Sequence, residues 1–378
     1  MISLILNAYP MISKKYLLVI GVFGFAIFFV ATAQNLLSSL ASPLQNSSPN
    51  SNINPLGALI PPSQWSKIVR NCGVNISGAE FGEKSLPGKL NTDYLYHSNA
   101  GDYSYFAKRG QKIVRIPFRW ERIQRQSLGS LSKDDLQGLK NMVAAAKKNN
   151  QKVILDLHNF GYYYGKPLTV SQANQLADVW KKLAEQFKNE PAIFGYELMN
   201  EPHDLPEGGD GWAKISQITV DAIRTVDKKT TILIPGYGWQ SAKSWTKENP
   251  NLNISDPSNN ILYAAHQYFD TDHTGTYSKP FDPKVNTAQN SNNESNVFIN
   301  WLEKNNKRGI FTEYGVPGND TRWLSIMDSF MHNALINDRV VGLIYWSAGP
   351  WWGPYQLSVQ PVNGKDRPQM AILKAHCF

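Results

Sequence analysis

Cysteine is nearly absent from this chain of 378 residues, which has only Cys72 and Cys377. Neither belongs to a CxxC pair or sits beside a histidine cluster, so the spacing excludes the usual zinc-site patterns. No Gly-rich phosphate loop follows the first strand-like run, which argues against a dinucleotide fold. No serine occupies a Gly-x-Ser-x-Gly elbow, the signature of one large hydrolase class. Basic residues outnumber acidic ones, 38 to 30, but Lys and Arg are scattered and no nucleic-acid-binding motif accompanies them. The formal charge of +8 falls to +6 once residues 1–33, with two Lys and no acid, are set aside. Such a balance fits a basic soluble surface or weak contact with an acidic envelope. There is no short internal repeat and no sign of a second domain.

Long apolar runs are confined to the beginning. Lys14 and Lys15 precede an uncharged stretch, Tyr16 to Ala33, that closes on Ala31-Thr32-Ala33. A basic region, an apolar region and a small-x-small ending predict a secretory signal cleaved after Ala33. The same run is long enough to span a bilayer, so an uncleaved anchor through residues 16–33 is the alternative. Both readings place the remainder outside the cytoplasm: secreted, periplasmic or extracellular, or held at a membrane. Residues 34–62, rich in Ser, Asn and Pro, read as a flexible linker.

From residue 63 onward, apolar runs alternate with amphipathic stretches. Candidate strands begin near Cys72, Lys112, Lys152, Ala192, Thr231, Ile261, Gly309 and Val341. Helical periodicity appears over 131–149, 171–189, 212–227, 295–306 and 321–338. Near-continuous apolar strands separated by helices imply a parallel sheet covered on both faces. Eight such units predict a single α/β domain over 63–378, a (β/α)8 TIM barrel, rather than an open doubly wound sheet. A closed barrel sets its first strand beside its last helix. Cys72 and Cys377 are therefore either a disulfide fastening the two or a pair of free thiols.

In such barrels chemistry resides at the C-terminal ends of strands. The stretch GYELMNEPHD, Gly195 to Asp204, ends a strand-like run in Asn200-Glu201-Pro202, where Pro202 stops the strand. About 110 residues on, Thr312-Glu313-Tyr314 closes another run. The other ends supply Arg115, His158, the trio His266-Gln267-Tyr268, and Tyr345-Trp346. Singly, each has an ordinary explanation: an arginine paired with a structural acid, a histidine satisfied in a core. Together, around one mouth, they make a polar ring with two carboxylates and no metal-ligand pattern. Two carboxylates without a metal suit cleavage of a glycosidic bond, one protonating the leaving oxygen and the other acting across the sugar. Arg115 is positioned in this scheme to keep Glu313 ionised while Glu201 holds the proton. Eleven tryptophans leave some free to serve as stacking platforms for sugar rings.

The motifs GVNISGAEFG from Gly73, VRIPFRWERIQ from Val114, LDLHNFGYYYG from Leu155, GYELMNEPHD from Gly195, HQYFDTDHTGT from His266, GIFTEYGVPG from Gly309 and YWSAGPWWG from Tyr345 make the chain resemble glycoside hydrolase family 5, in particular its endo-β-1,4-glucanases. IPGYGWQSAKSW from Ile234 belongs to the same set, and the resemblance covers about residues 65–375. It implies a retaining mechanism with Glu201 as acid/base and Glu313 as nucleophile. It further implies that Asn200 bonds the sugar 2-hydroxyl and that Arg115 and Tyr268 flank the nucleophile. His266 matches the histidine near the acid/base, and His158 and Trp346 match residues that hold the sugar being cleaved. Glu80, read as ending the first strand, Asn159, Trp239 and the Trp351-Trp352 pair are further cleft candidates, with core or loop packing as their alternative. The expected partner is a β-glucan and the expected state a monomer needing no cofactor and no metal. Another β-glycan (mannan, mixed-linkage or β-1,3-glucan) on the same machinery, or a non-catalytic glycan-binding surface protein, are the competing readings.

Overall fold

The structure, a computed structural model, describes residues 71–378. The expected signal or anchor segment, the linker and the domain boundary at residue 63 all lie outside the described residues. Among those that are described, no helix is long and apolar enough to cross a membrane.

Eight parallel strands close into a barrel. They are β1 (Asn71–Ile76), β2 (Ile113–Phe118), β3 (Lys152–Leu157), β4 (Ile193–Glu197), β5 (Thr231–Pro235), β6 (Ile261–Gln267), β7 (Gly309–Tyr314) and β8 (Val340–Ala348). Each pairs with its sequence neighbours, and β1 closes the ring on β8. All eight lie where the apolar runs predicted.

The helices around the ring are α1 (Ala100–Ala107), α2 (Lys133–Lys148), α3 (Ala173–Phe187), α4 (Gly208–Arg224), α5 (Ala288–Lys304), α6 (Thr321–Leu335) and α7 (Gln369–Cys377). Ser132 caps α2 by accepting the Asp135 N–H, with Asp134 in the first turn and Lys147 and Lys148 in the last, matching the helix dipole. One departure from the periodicity has a local cause. Helix α5 begins seven residues before the expected Ser295, because Thr287 caps a first turn of Asn, Gln and Ser that has no apolar signature. Between β5 and β6 the only helix is one turn, Trp245–Glu248, and the rest of that connection is loop.

The core has two layers. A large shell of apolar side chains joins strands to helices. Inside the barrel, a separate cluster comprises Ile113, Ile154, Leu233, Leu262, Ala264, Ile310 and Ile344. Side chains alternate along a strand, so the residues two and four positions further on share this inner face: Arg115 above Ile113, Asp156 above Ile154, His266 above Ala264 and Leu262. A dry plug thus lies beneath a polar layer at the C-terminal mouth. Cys72 of β1 and Cys377 of α7 form a disulfide across a sequence separation of 305.

Candidate active site

Arg115 is the hub of the polar layer and is fully buried. Its Nε donates to Glu197 Oε2 at 2.6 Å, Nη1 to Asn75 Oδ1 and Glu313 Oε1, both at 2.8 Å, and Nη2 to Asn200 Oδ1 at 2.7 Å. Asp156 adds a further ionic contact at 3.1 Å. A buried guanidinium is costly to desolvate, and here several acceptors compensate it. Strand register makes this arrangement possible. Asn75 lies opposite Arg115 between β1 and β2, and Asp156 opposite Glu197 between β3 and β4.

Glu313, on β7, also accepts the Tyr268 hydroxyl at 2.8 Å. Burial pushes its carboxyl up to about 8; Arg115 and the Tyr268 hydrogen bond limit the rise, and Asp156 and Glu197 add to it. Arg115 pulls Glu201 down as well, but less than its surroundings raise it. Burial raises its pKa well above the carboxylate range, and the charge of Glu313 raises it further. Both carboxyls are raised, Glu201 the further, so of the two Glu201 keeps its proton to the higher pH.

Glu201 does not end a strand, contrary to expectation. Strand β4 stops at Glu197, and Glu201 sits in the following turn with a left-handed backbone, φ 45°. A non-glycine residue there is strained and must be held by its surroundings. Its N–H donates to Gln240 Oε1 at 2.6 Å, and its Oε1 meets His266 Nδ1 at 2.8 Å. Gln240, itself at φ 51°, donates through Nε2 to Glu197 Oε1 at 3.0 Å. Its backbone carbonyl accepts the His266 N–H at 2.7 Å.

The structure thus brings Arg115, Asn200, Glu201, His266, Tyr268 and Glu313 into one connected network. His158 and Trp346 lie at its side: the imidazole stacks on the indole, centroids 5.5 Å apart and 9° between planes, and His158 Nδ1 lies 2.7 Å from Asp156 Oδ2. Glu201, His266 and Glu313 each bring a polar atom within 4.8 Å of the others. A cation would accept that spacing too, but the guanidinium beside Glu313 and the direct hydrogen bonds favour a proton-sharing cluster.

A cleft of about 730 Å³ opens beside this cluster, lined in part by Glu201, His203, Tyr237, Trp239, His266 and Tyr268. Trp239 is half exposed and stacks on His203. Trp351 is also exposed, while Trp352 packs between Phe81 and Tyr355.

Two weaker candidates turn out to be structural. Asn159 accepts the Trp120 N–H and donates to Glu121, pinning the loop after β3 to a helical turn. Glu80 lies four residues past the end of β1 rather than at it, buried, with Oε2 accepting the Gly78 N–H.

The fold and this geometry are matched by known proteins. A family model described as "Cellulase (glycosyl hydrolase family 5)" matches residues 74–351. The chain belongs to glycoside hydrolase family 5. The probable endo-beta-1,4-glucanase B of Aspergillus oryzae is 32% identical over 295 residues, 77% of this chain and 85% of that protein. Among solved structures, the endoglucanase Cel5A of Pseudomonas stutzeri in complex with cellobiose is 40% identical with a TM-score of 0.75, covering 81% of this chain and 92% of that one. XacCel5A in complex with cellopentaose is 37% identical with a TM-score of 0.76, covering 82% and 99%. The protein is a glycoside hydrolase by family, as the paired carboxylates predicted.

Within this family 5 site, Asn75, Asp156, Glu197, Gln240 and Thr312 escaped the sequence reading as site residues. The signal for four of them was present: a polar residue inside an otherwise apolar buried strand needs a partner, and β1, β3, β4 and β7 each carry at least one. Gln240, in a loop, had no such signal.

Proposed function

We propose that this family 5 enzyme is an endo-β-1,4-glucanase that cleaves by retaining double displacement, with Glu313 as nucleophile and Glu201 as acid/base. The observation carrying this is the approach of Glu201 and Glu313, an oxygen of each lying within 4.8 Å of the other, a bound that suits the shorter of two carboxyl separations. Inverting enzymes hold their carboxyl groups roughly 6.5–9.5 Å apart to seat a water, whereas retaining ones hold them about 5–5.5 Å apart. The β-1,4-glucan preference is supported by the relatives' names and by the cello-oligosaccharides bound in the similar structures.

In the first half-reaction Glu313, aligned by Arg115 and Tyr268, attacks the anomeric carbon as Glu201 protonates the departing oxygen. The C–O bond of the glucan breaks as the Glu313–carbon bond forms. Asn200, its Oδ1 held by Arg115, has its amide N–H donors left for the sugar 2-hydroxyl. In the second half-reaction ionised Glu201 takes a proton from water, which attacks the same carbon and releases Glu313 as carboxylate. His158 and Trp346 hold the sugar undergoing cleavage, and Trp239 offers an aromatic face in the cleft.

The test is viscosity and reducing-sugar release on carboxymethyl-cellulose, barley glucan and mannan, with the anomer of the first product read by NMR. A rapid viscosity fall on the two glucans, a β-product, and silence of Glu313→Gln are expected. An α-product would overturn the mechanism, and activity confined to mannan would overturn the substrate. Action outside the cytoplasm is part of this proposal. The Cys72–Cys377 disulfide supports it, because such bonds persist in oxidising compartments. N-terminal sequencing of the exported protein tests it.

A further inference from the structure

We propose that Glu197, Thr312 and His266 form a directed hydrogen-bond chain whose end point is a bare Nδ1 facing Glu201, so that the hydrogen in the Glu201–His266 contact belongs to Glu201. The inference rests on the reading of Glu201 as acid/base and adds what keeps it in that role.

The chain starts at Glu197. It is fully buried, and each of its side-chain partners is a donor: Arg115 Nε at 2.6 Å, Thr312 Oγ1 at 2.8 Å and Gln240 Nε2 at 3.0 Å. Burial raises its pKa, but Arg115 and the Gln240 amide oppose that, and three donors around it match an acceptor-only carboxylate. Thr312 has one proton to give, and the closer, charged acceptor takes it. Its oxygen then has only lone pairs to offer His266 Nε2, 3.2 Å away. Gln240 Nε2, 3.5 Å from the same oxygen, also approaches it as a donor. His266 must therefore donate from Nε2.

His266 has one N–H to spend. Burial, with the charges of Arg115 and His158, holds its pKa well below the usual histidine value, so the ring is neutral. A neutral imidazole protonated on Nε2 is bare on Nδ1. The 2.8 Å contact from Nδ1 to Glu201 Oε1 is then an O–H to N hydrogen bond, donated by Glu201. The other groups facing this pair are Glu313 from β7, Arg115 from β2, Asp156 and His158 from β3 and its loop, and Tyr268 after β6. Glu313 and Asp156 push the Glu201 proton on more tightly, and Arg115 loosens it.

The consequence reaches both half-reactions. On substrate binding the glycosidic oxygen replaces Nδ1 as acceptor and receives the proton as its bond to carbon breaks. Glu201 is then ionised opposite a nitrogen lone pair, an unfavourable pairing that increases its readiness to take a proton from water. Glu197 and Thr312 touch neither substrate nor water in this scheme and are positioning residues.

Two measurements test the chain. In wild-type enzyme labelled with 15N-histidine, the His266 resonances, assigned by their loss in His266→Gln, are expected to show a protonated Nε2 and a bare Nδ1; a protonated Nδ1 would overturn the proposal. In Thr312→Val, His266 is free to turn its N–H to Glu201 and stabilise the ionised form. The alkaline limb of kcat/KM on soluble glucan is expected to fall by about one pH unit or more, with recovery in Thr312→Ser. On dinitrophenyl cellobioside, whose leaving group needs no proton, kcat/KM should change less than about threefold. An unmoved limb with a uniform loss at all pH values means packing alone and sinks the idea. If the valine variant does not fold, the wild-type resonances decide. The underlying reading is tested apart: Glu201→Ala with azide should yield the β-glycosyl azide, and failure there removes the acid/base role itself rather than the chain behind it.

Discussion

The amide oxygen of Gln240 accepts the backbone N–H of Glu201 at 2.6 Å, while its amide nitrogen reaches Glu197. Through Glu197 and then Arg115 the link continues to Glu313. One buried side chain thus couples the turn bearing one candidate catalytic carboxylate to the charge network that holds the other.

Replacing Gln240 with leucine keeps much of its volume and removes both contacts. Glu201 would then keep its left-handed backbone without the hydrogen bond that secures it. We expect kcat on glucan to fall about 10- to 100-fold, in the range for a misplaced acid/base group, with KM changing much less. Steady-state kinetics of the folded variant would check it, and a loss carried mainly in KM would contradict the link.

Tyr268→Phe removes a hydrogen bond that lowers the pKa of Glu313. That pKa therefore rises in the variant, and the nucleophile needs a higher pH to ionise. The acidic limb of kcat/KM should move toward higher pH, with about a tenfold or larger loss below neutrality. A pH–rate profile shows the direction, and a limb that moves toward acid would refute the assignment.

Glu80 should make stability depend on pH. Burial raises its pKa from 4.5 to about 7. A carboxyl raised on folding binds a proton more tightly in the native state, so stability declines as pH rises from about 4.5 through about 7. Glu80→Gln removes that contribution. Relative to wild type, it should gain on the order of 2–3 kcal/mol between pH 5 and pH 8. Urea unfolding at the two pH values measures this, and an equal effect at both would count against it.

Removing the disulfide should cost stability without touching chemistry. A cross-link with a sequence separation of 305 restricts the unfolded chain strongly, and loop-closure arguments give about 6 kcal/mol. For Cys72→Ser with Cys377→Ser we expect a Tm several degrees lower and kcat at 25 °C within about twofold of wild type, because neither cysteine belongs to the polar layer. A large fall in kcat with folding intact would place the bond in a role beyond fastening.

How far the sequence carried this picture varies by element. The eight strands were legible because buried parallel strands are written as short apolar runs, and KIVRI or KVILDL leaves little choice. The start of α5 was not, since its first turns are Asn, Gln and Ser held by a cap and by packing that only the folded chain supplies. Glu313 was readable from its place near a strand end; Arg115, expected at an end, lies inside β2 and was readable as a charge in an apolar run. The turn that sets Glu201 at φ 45° was hidden, because nothing in Asn-Glu-Pro distinguishes an extended residue from a left-handed one. Gln240 was invisible for a related reason: its partners come from β4 and the loop after it, remote in sequence from its own loop.

The bond between Cys72 and Cys377 has a topological consequence as well as an energetic one. It turns nearly all of the described residues into a covalent ring, with Cys72 near the start of β1 and Cys377 at the end of α7. A protease that cuts any loop of this ring opens a circle and releases nothing. Every strand stays tethered to its neighbours, and the cut barrel remains a single molecule until a reductant arrives.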